Sequence, residues 1–186
     1  MKRQIKASIL GVGMLAIAAA SCTTGQQATE TISGLNPAKF DSTINGKKTA
    51  LYVLKNNNGM EVCITNFGAR VVSLVVPDKD GKPTDVVLGY DNIAQYADIE
   101  NSPSDFGSSV GRYANRINQG KITVDGKEYQ LPQNNFGHCL HGGPTGWMYQ
   151  VYDAEQVNDS TLKMTIVSPD GDNNFPGTVT ATTTYT

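Results

Sequence analysis

The chain of 186 residues accommodates one ordinary domain, and nothing in it demands two. Its formal net charge is −2, and no Lys/Arg run follows the first six residues, which argues against a surface that tracks nucleic-acid phosphates. Gly, Asn and Thr are frequent while long runs of Ala, Leu, Glu and Lys are missing, a bias toward strands and turns.

The N-terminus poses a separate problem. Lys2, Arg3 and Lys6 form a basic start, and Ala7 to Ala20 is apolar but short for a bilayer span. Ala19-Ala20-Ser21 are small, as cleavage requires, and Cys22 follows them. The pattern predicts a lipoprotein signal over residues 1–22, with Cys22 as the acylated anchor. That places the protein on the periplasmic side of a bacterial membrane, held by several acyl chains. Ala19 stands where such motifs more usually have Leu, and a plain secretory signal is the alternative. Residues 23–35, polar and small at first, read as a flexible tether to a domain spanning 36–186.

Within that domain, Leu51–Leu54 is a short apolar run, and Asn56 to Gly59 form a turn cluster. Glu61–Thr65 alternates as a half-buried strand does, and Val71–Val76 is apolar until Pro77. Val86-Val87-Leu88 is a further strand candidate, and Asp91–Asp98 has room for one or two helical turns. Lys121–Val124 and Lys127–Leu131 flank Asp125-Gly126, which supplies the positive φ angles of a tight hairpin turn. Val151–Val157 and Leu162–Val167 form a second hairpin across Asn158-Asp159-Ser160, and Thr178–Thr186 alternates as a strand. Many short strands with regular turn signals imply an all-β antiparallel sandwich or barrel.

No Walker loop, dinucleotide glycine fingerprint or nucleophile elbow is present. Asp170, Asp172 and Asn174 have the spacing that begins a calcium loop, but Phe175 and Ala181 occupy the Gly and Glu positions, so the segment reads as a turn. With Cys22 set aside, Cys63 and Cys139 remain. Cys63 reads as a small buried hydrophobe, and whether the two pair is open.

His138 and His141 are the two histidines. A metal site with Cys139 is disfavoured, because successive residues of an extended chain face opposite sides. His141 reads either as a loop histidine or as a side chain aimed into a ligand cleft, where Gly142 and Gly143 would let backbone approach closely. In Gly111-Arg112-Tyr113-Ala114-Asn115-Arg116-Ile117, two guanidinium groups and an amide sit among apolar neighbours. A salt bridge from Arg112 or Arg116 to an aspartate, or contacts to a polyhydroxylated ligand, would satisfy them.

That stretch, with Leu140-His141-Gly142-Gly143, is similar to the paired signature of the aldose 1-epimerase (galactose mutarotase) family. Asn66-Phe67-Gly68-Ala69, Trp147, Ser168-Pro169-Asp170-Gly171 and Phe175-Pro176-Gly177 fall in the family's order as well. The resemblance covers roughly Asn36 to Thr186 and implies the N-terminal half of a galactose mutarotase-type β-sandwich. It makes Asn115 and Arg116 a sugar-contacting pair and His141 an active-site histidine that helps bind the hexose. Both members of an adjacent pair reach one ligand only if the chain bends, which predicts a bulge or turn at Asn115-Arg116. The implied reaction interconverts α and β anomers by acid–base ring opening, with no metal or organic cofactor. The family's acid histidine and base glutamate are expected beyond Thr186, and neither Glu128 nor Glu155 matches the base. A carbohydrate-binding β-sandwich lipoprotein without catalysis is the alternative.

Overall fold

The computed structural model describes residues 31–186. The expected signal segment with Cys22, and the tether up to residue 30, lie outside the described residues.

Thr31–Leu35 already belong to the domain, which corrects the tether's far end. Thr31 and Leu35 are buried, the Thr31 hydroxyl donates to the Leu35 carbonyl, and the Ile32 N–H donates to the fully buried Glu61 carboxylate at 2.7 Å. A buried carboxylate needs such partners, and its other oxygen lies 3.0 Å from Lys55 Nζ. A 3₁₀ turn follows at Pro37–Phe40, where the Asn36 side chain caps Ala38 and the fixed φ of Pro37 suits the first position. The turn drives Phe40 into the core.

The strands β1 (Ser42–Ile44) and β2 (Lys47–Thr49) form a small hairpin closed by Asn45-Gly46, both at positive φ. Then β3 (Leu51–Lys55), β4 (Glu61–Thr65), β5 (Arg70–Pro77) and β6 (Pro83–Asp85) build an antiparallel sheet in sequence order. β4 is buried on both faces rather than half-buried: Cys63 packs with Phe40, Phe67, Val72 and Tyr96, whereas its neighbour Ile64 packs with Leu162, Met164 and Ile166. Alternation along the strand thus serves two apolar layers. Helix α1 (Ile93–Ala97), capped by the Asn92 side chain, covers the first layer with Ile93 and Tyr96, one turn apart. Val86-Val87-Leu88 is not a strand. Val86 and Leu88 are exposed, and the chain leaves the sheet after Asp85, whose carboxylate accepts from both Leu74 and Val87 amides.

A second sheet, β11 (Asp153–Asn158), β12 (Thr161–Ser168) and β13 (Val179–Tyr185), packs on the other face of the first. Leu162, Met164 and Ile166 point inward from β12 while Val167 points out, and each fully buried aliphatic side chain contributes about 1.5–3 kcal/mol. This is the expected all-β sandwich. Asn66 staples the sheets together: its amide donates to the Lys48 and Tyr152 carbonyls and its oxygen accepts from Ala50.

Between the two sheets in sequence lie β7 (Arg116–Ile117), β8 (Lys121–Val124), β9 (Lys127–Gln130) and β10 (Cys139–Leu140). β8 and β9 form the expected hairpin, with Asp125 and Gly126 both at positive φ. Cys63 and Cys139 are buried in different clusters and both are free thiols, which closes the disulfide question.

Candidate functional site

The short ladder between β7 and β10 sets the site. Leu140 pairs with Arg116, so His141, one step past β10, faces Asn115, one step before β7. The His141 N–H donates to the Asn115 carbonyl at 3.1 Å, and the Asn115 N–H donates to His141 Nδ1 at 2.9 Å. Asn115 sits at φ 64 and His141 at φ 51, left-handed positions that Asn and His tolerate better than most residues. The chain therefore bends at Asn115, as the adjacency argument requires. Its side-chain oxygen accepts from the Arg116 N–H, and the Arg116 guanidinium donates through Nε to Asn135 at 2.8 Å.

His141 lines an open hollow of about 590 Å³ with Leu88, Tyr90, Asp105, Phe106 and Val110. Asn115 and Arg116 are exposed beside it and do not line it. Because Nδ1 accepts a backbone hydrogen bond, a neutral His141 carries its proton on Nε2. That nitrogen stands 3.9 Å from Asp105 Oδ2. Asp105 Oδ1 accepts from the Tyr149 hydroxyl at 3.0 Å. Burial, and then the Asp105 charge, push the Tyr149 phenol up to about 12, so it stays a donor at neutral pH. Beneath them Arg70 is fully buried; it donates to the Ser104 and Met148 carbonyls and lies 4.7 Å over the Tyr96 ring. Desolvation lowers its affinity for the proton. The loop carrying Asp105 is thus tied down from inside. A second groove, of about 290 Å³, is mostly apolar and shares no residue with the hollow.

Among the described residues, Arg112 forms no bond to a carboxylate. Its guanidinium donates to the Ser168 hydroxyl and to the carbonyls of Ser168, Pro169 and Pro176, and it lies 5.8 Å from the Phe175 ring centroid. The Gly111–Arg112 peptide bond is cis. Arg112 is a structural clamp, neither a salt bridge nor a lining residue. The Gly142-Gly143 pair likewise serves packing. A Cβ on Gly142 would collide with the Gly111 carbonyl, and one on Gly143 would stand 2.7 Å from Asn173 Oδ1. Gly111 in turn lies under the Trp147 ring, where a Cβ would overlap the indole. The motifs scattered along the sequence therefore meet at one place.

His138 is held away from His141 by its own contact: its Nδ1 accepts from the Gln119 N–H at 3.0 Å. Residues 170–174 form a turn in which Gly171 is left-handed and Asp172–Asn174 a 3₁₀ segment; Asp172 accepts from Ser168 and from Asn173. Among the described residues, no group of three His, Cys, Asp or Glu side chains is placed to hold a metal ion.

The sequence profile of the family described as aldose 1-epimerase matches residues 50–186. The chain belongs to the aldose 1-epimerase family. It is 42% identical to the galactose mutarotase of Rattus norvegicus over 127 residues, which is 68% of this chain and 36% of that one. Against the aldose 1-epimerase of Escherichia coli (strain K12) it is 35% identical over 140 residues, 75% of this chain and 40% of that one. Among solved structures, a GalM/aldose epimerase homologue from C. elegans superposes with TM-score 0.69 at 33% identity, over 74% of this chain and 42% of that one. A galactose 1-epimerase from Lactobacillus acidophilus NCFM gives TM-score 0.66 at 26% identity, over 77% and 42%. The chain thus spans well under half the length of the aldose 1-epimerase relatives it matches.

Asp105, Tyr149 and Arg70 escape sequence reasoning. Asp105 lies in an irregular loop, Tyr149 in a 3₁₀ turn, and Arg70 within an otherwise apolar strand. Only the last carried a signal: a charged residue leading a run that is apolar on both faces must find buried partners.

Proposed function

We propose that this chain is the N-terminal, sugar-binding portion of an aldose 1-epimerase that interconverts the α and β anomers of a hexose such as galactose or glucose. The observation that carries it is His141, whose tautomer is set by the Asn115 amide so that Nε2–H is presented to the hollow beside Asp105. A polyhydroxylated ring suits such a wall, since each hydroxyl both donates and accepts. Leu88 and Phe106, both exposed in the same hollow, offer apolar surface to the ring's C–H face. Asn115 and Arg116 stand outside the hollow but are exposed next to His141, and in this reading they contact the part of the sugar that projects beyond it.

Ring opening needs a base on the anomeric hydroxyl and an acid on the ring oxygen, and neither step calls for a cofactor. Within Met1–Thr186 no residue matches the family's acid histidine or base glutamate. Each such group typically contributes about 10²–10⁴-fold, so these residues alone bind sugar without turnover. The protein is exported, with Cys22 as the lipid anchor on the periplasmic side of a bacterial membrane.

Polarimetry of freshly dissolved α-galactose tests the reading. Acceleration is expected from the gene product extended downstream of Thr186 and not from the 186-residue chain. Acceleration by the shorter chain would overturn the assignment of acid and base. An inert extended form would favour binding alone, and mass spectrometry of the membrane fraction reports whether Cys22 is acylated.

A further inference from the structure

The 3.9 Å between His141 Nε2 and Asp105 Oδ2 is too long for a hydrogen bond between them. It suits one oxygen atom held by both. With bonds of about 2.8 Å to each, that oxygen would subtend roughly 90°, an angle a hydroxyl group tolerates. The two partners are also of complementary type. His141 offers a donor, because its Nδ1 is already occupied by the Asn115 amide. Asp105 offers an acceptor, because Oδ1 is occupied by Tyr149 while Oδ2 faces the histidine. A hydroxyl accepts from the first and donates to the second.

We infer that Asp105 is a further substrate-binding residue and that it shares a single sugar hydroxyl with His141. The inference deepens the sugar-binding reading above and rests on it. The carboxylate is built into place. Tyr149 fixes its other oxygen, and Arg70 holds the preceding carbonyl, Ser104, at 2.7 Å from below. Such a pair favours a neutral polyol and disfavours an anionic ligand, which would meet the Asp105 charge. It reads one ring position, because only one hydroxyl can occupy the gap.

The test is an NMR titration of the complete gene product with galactose and with its 2-, 3-, 4- and 6-deoxy analogues, for the unsubstituted protein, Asp105→Asn and Tyr149→Phe. Asp105→Asn keeps the size and removes the charged acceptor. It is expected to weaken galactose binding about ten-fold or more, as loss of a hydrogen bond to a charged group does. Against one deoxy sugar, the one lacking the shared hydroxyl, the substitution should have no effect. Tyr149→Phe should show the same pattern with a smaller loss, and it supplies that pattern should Asp105→Asn fold poorly. Equal weakening for every sugar, or none for galactose, would overturn the inference, the latter meaning that only water occupies the gap. Absence of galactose binding by the unsubstituted protein would remove the sugar-binding reading itself, and is told apart because it appears without any substitution.

Discussion

Replacing Arg112 by Ala separates a clamp from a ligand contact. The guanidinium makes four hydrogen bonds, to the Ser168 hydroxyl and to the carbonyls of Ser168, Pro169 and Pro176. Hydrogen bonds to a charged group contribute about 1.5–3 kcal/mol each in buried settings. Arg112 is half-buried, some freed carbonyls regain water, and the four act as one unit, so the net loss is about 3 kcal/mol. Lys cannot span the same fork with one ammonium, and Arg112→Lys should lose about half as much. Urea unfolding of the complete gene product, with sugar titration of the still-folded variants, reads both quantities. Sugar affinity should change little below the unfolding transition. A variant of near-normal stability whose sugar binding is abolished would refute the clamp and return Arg112 to the ligand.

Three further outcomes follow from the packing. Gly142→Ala forces a Cβ onto the Gly111 carbonyl at positive φ and should cost about 2–4 kcal/mol, whereas Gly126→Ala, in open space at φ 78, should cost about 1 kcal/mol; paired denaturation curves check the contrast. Burial and the Glu61 charge push the Cys63 thiol up to about 11 from an ordinary 9.0, so the native state keeps its proton after the unfolded chain has lost it. Stability from this group is complete below pH 9 and falls as pH rises toward 11, by roughly 2 kcal/mol, and Cys63→Ala should flatten that part of the stability–pH curve. Arg70→Met removes the ties to Ser104 and Met148, leaving one buried and one half-buried carbonyl short of a donor. It should destabilise by about 3 kcal/mol and speed amide exchange in residues 103–106, measured by hydrogen–deuterium exchange.

The strands were readable where alternation or turn chemistry was local. Asp125-Gly126 predicted its hairpin because two positive φ angles in sequence admit few other structures. Asn45-Gly46 carries the same signal for the Ser42–Thr49 hairpin, an element missing from the expectations. Val86-Val87-Leu88 misled because β-branched composition says nothing about whether a partner strand is present, and Asp85 ends the pairing there. Glu61–Thr65 looked half-buried because its polar residues, Glu61 and Thr65, find partners inside. At the hollow, the motifs pointed to His141, which lines it, and to the bend at Asn115, whereas Asn115 and Arg116 themselves stand outside it. The partners of Arg112 and the approach of Asp105 depend on contacts between residues distant in sequence, which no local pattern encodes.

Thr145 donates to Asn173, Asn173 to Asp172, and Ser168, itself held by Arg112, also donates to Asp172. This relay joins three loops that flank the histidine. Anyone transplanting Asn115, Arg116 and His141 onto another sandwich would therefore carry over the residue names without their aim. The transferable unit is the trio of loops at 111–116, 141–147 and 168–177, and a replacement as remote as Asn173 is equivalent to loosening one leg of a tripod.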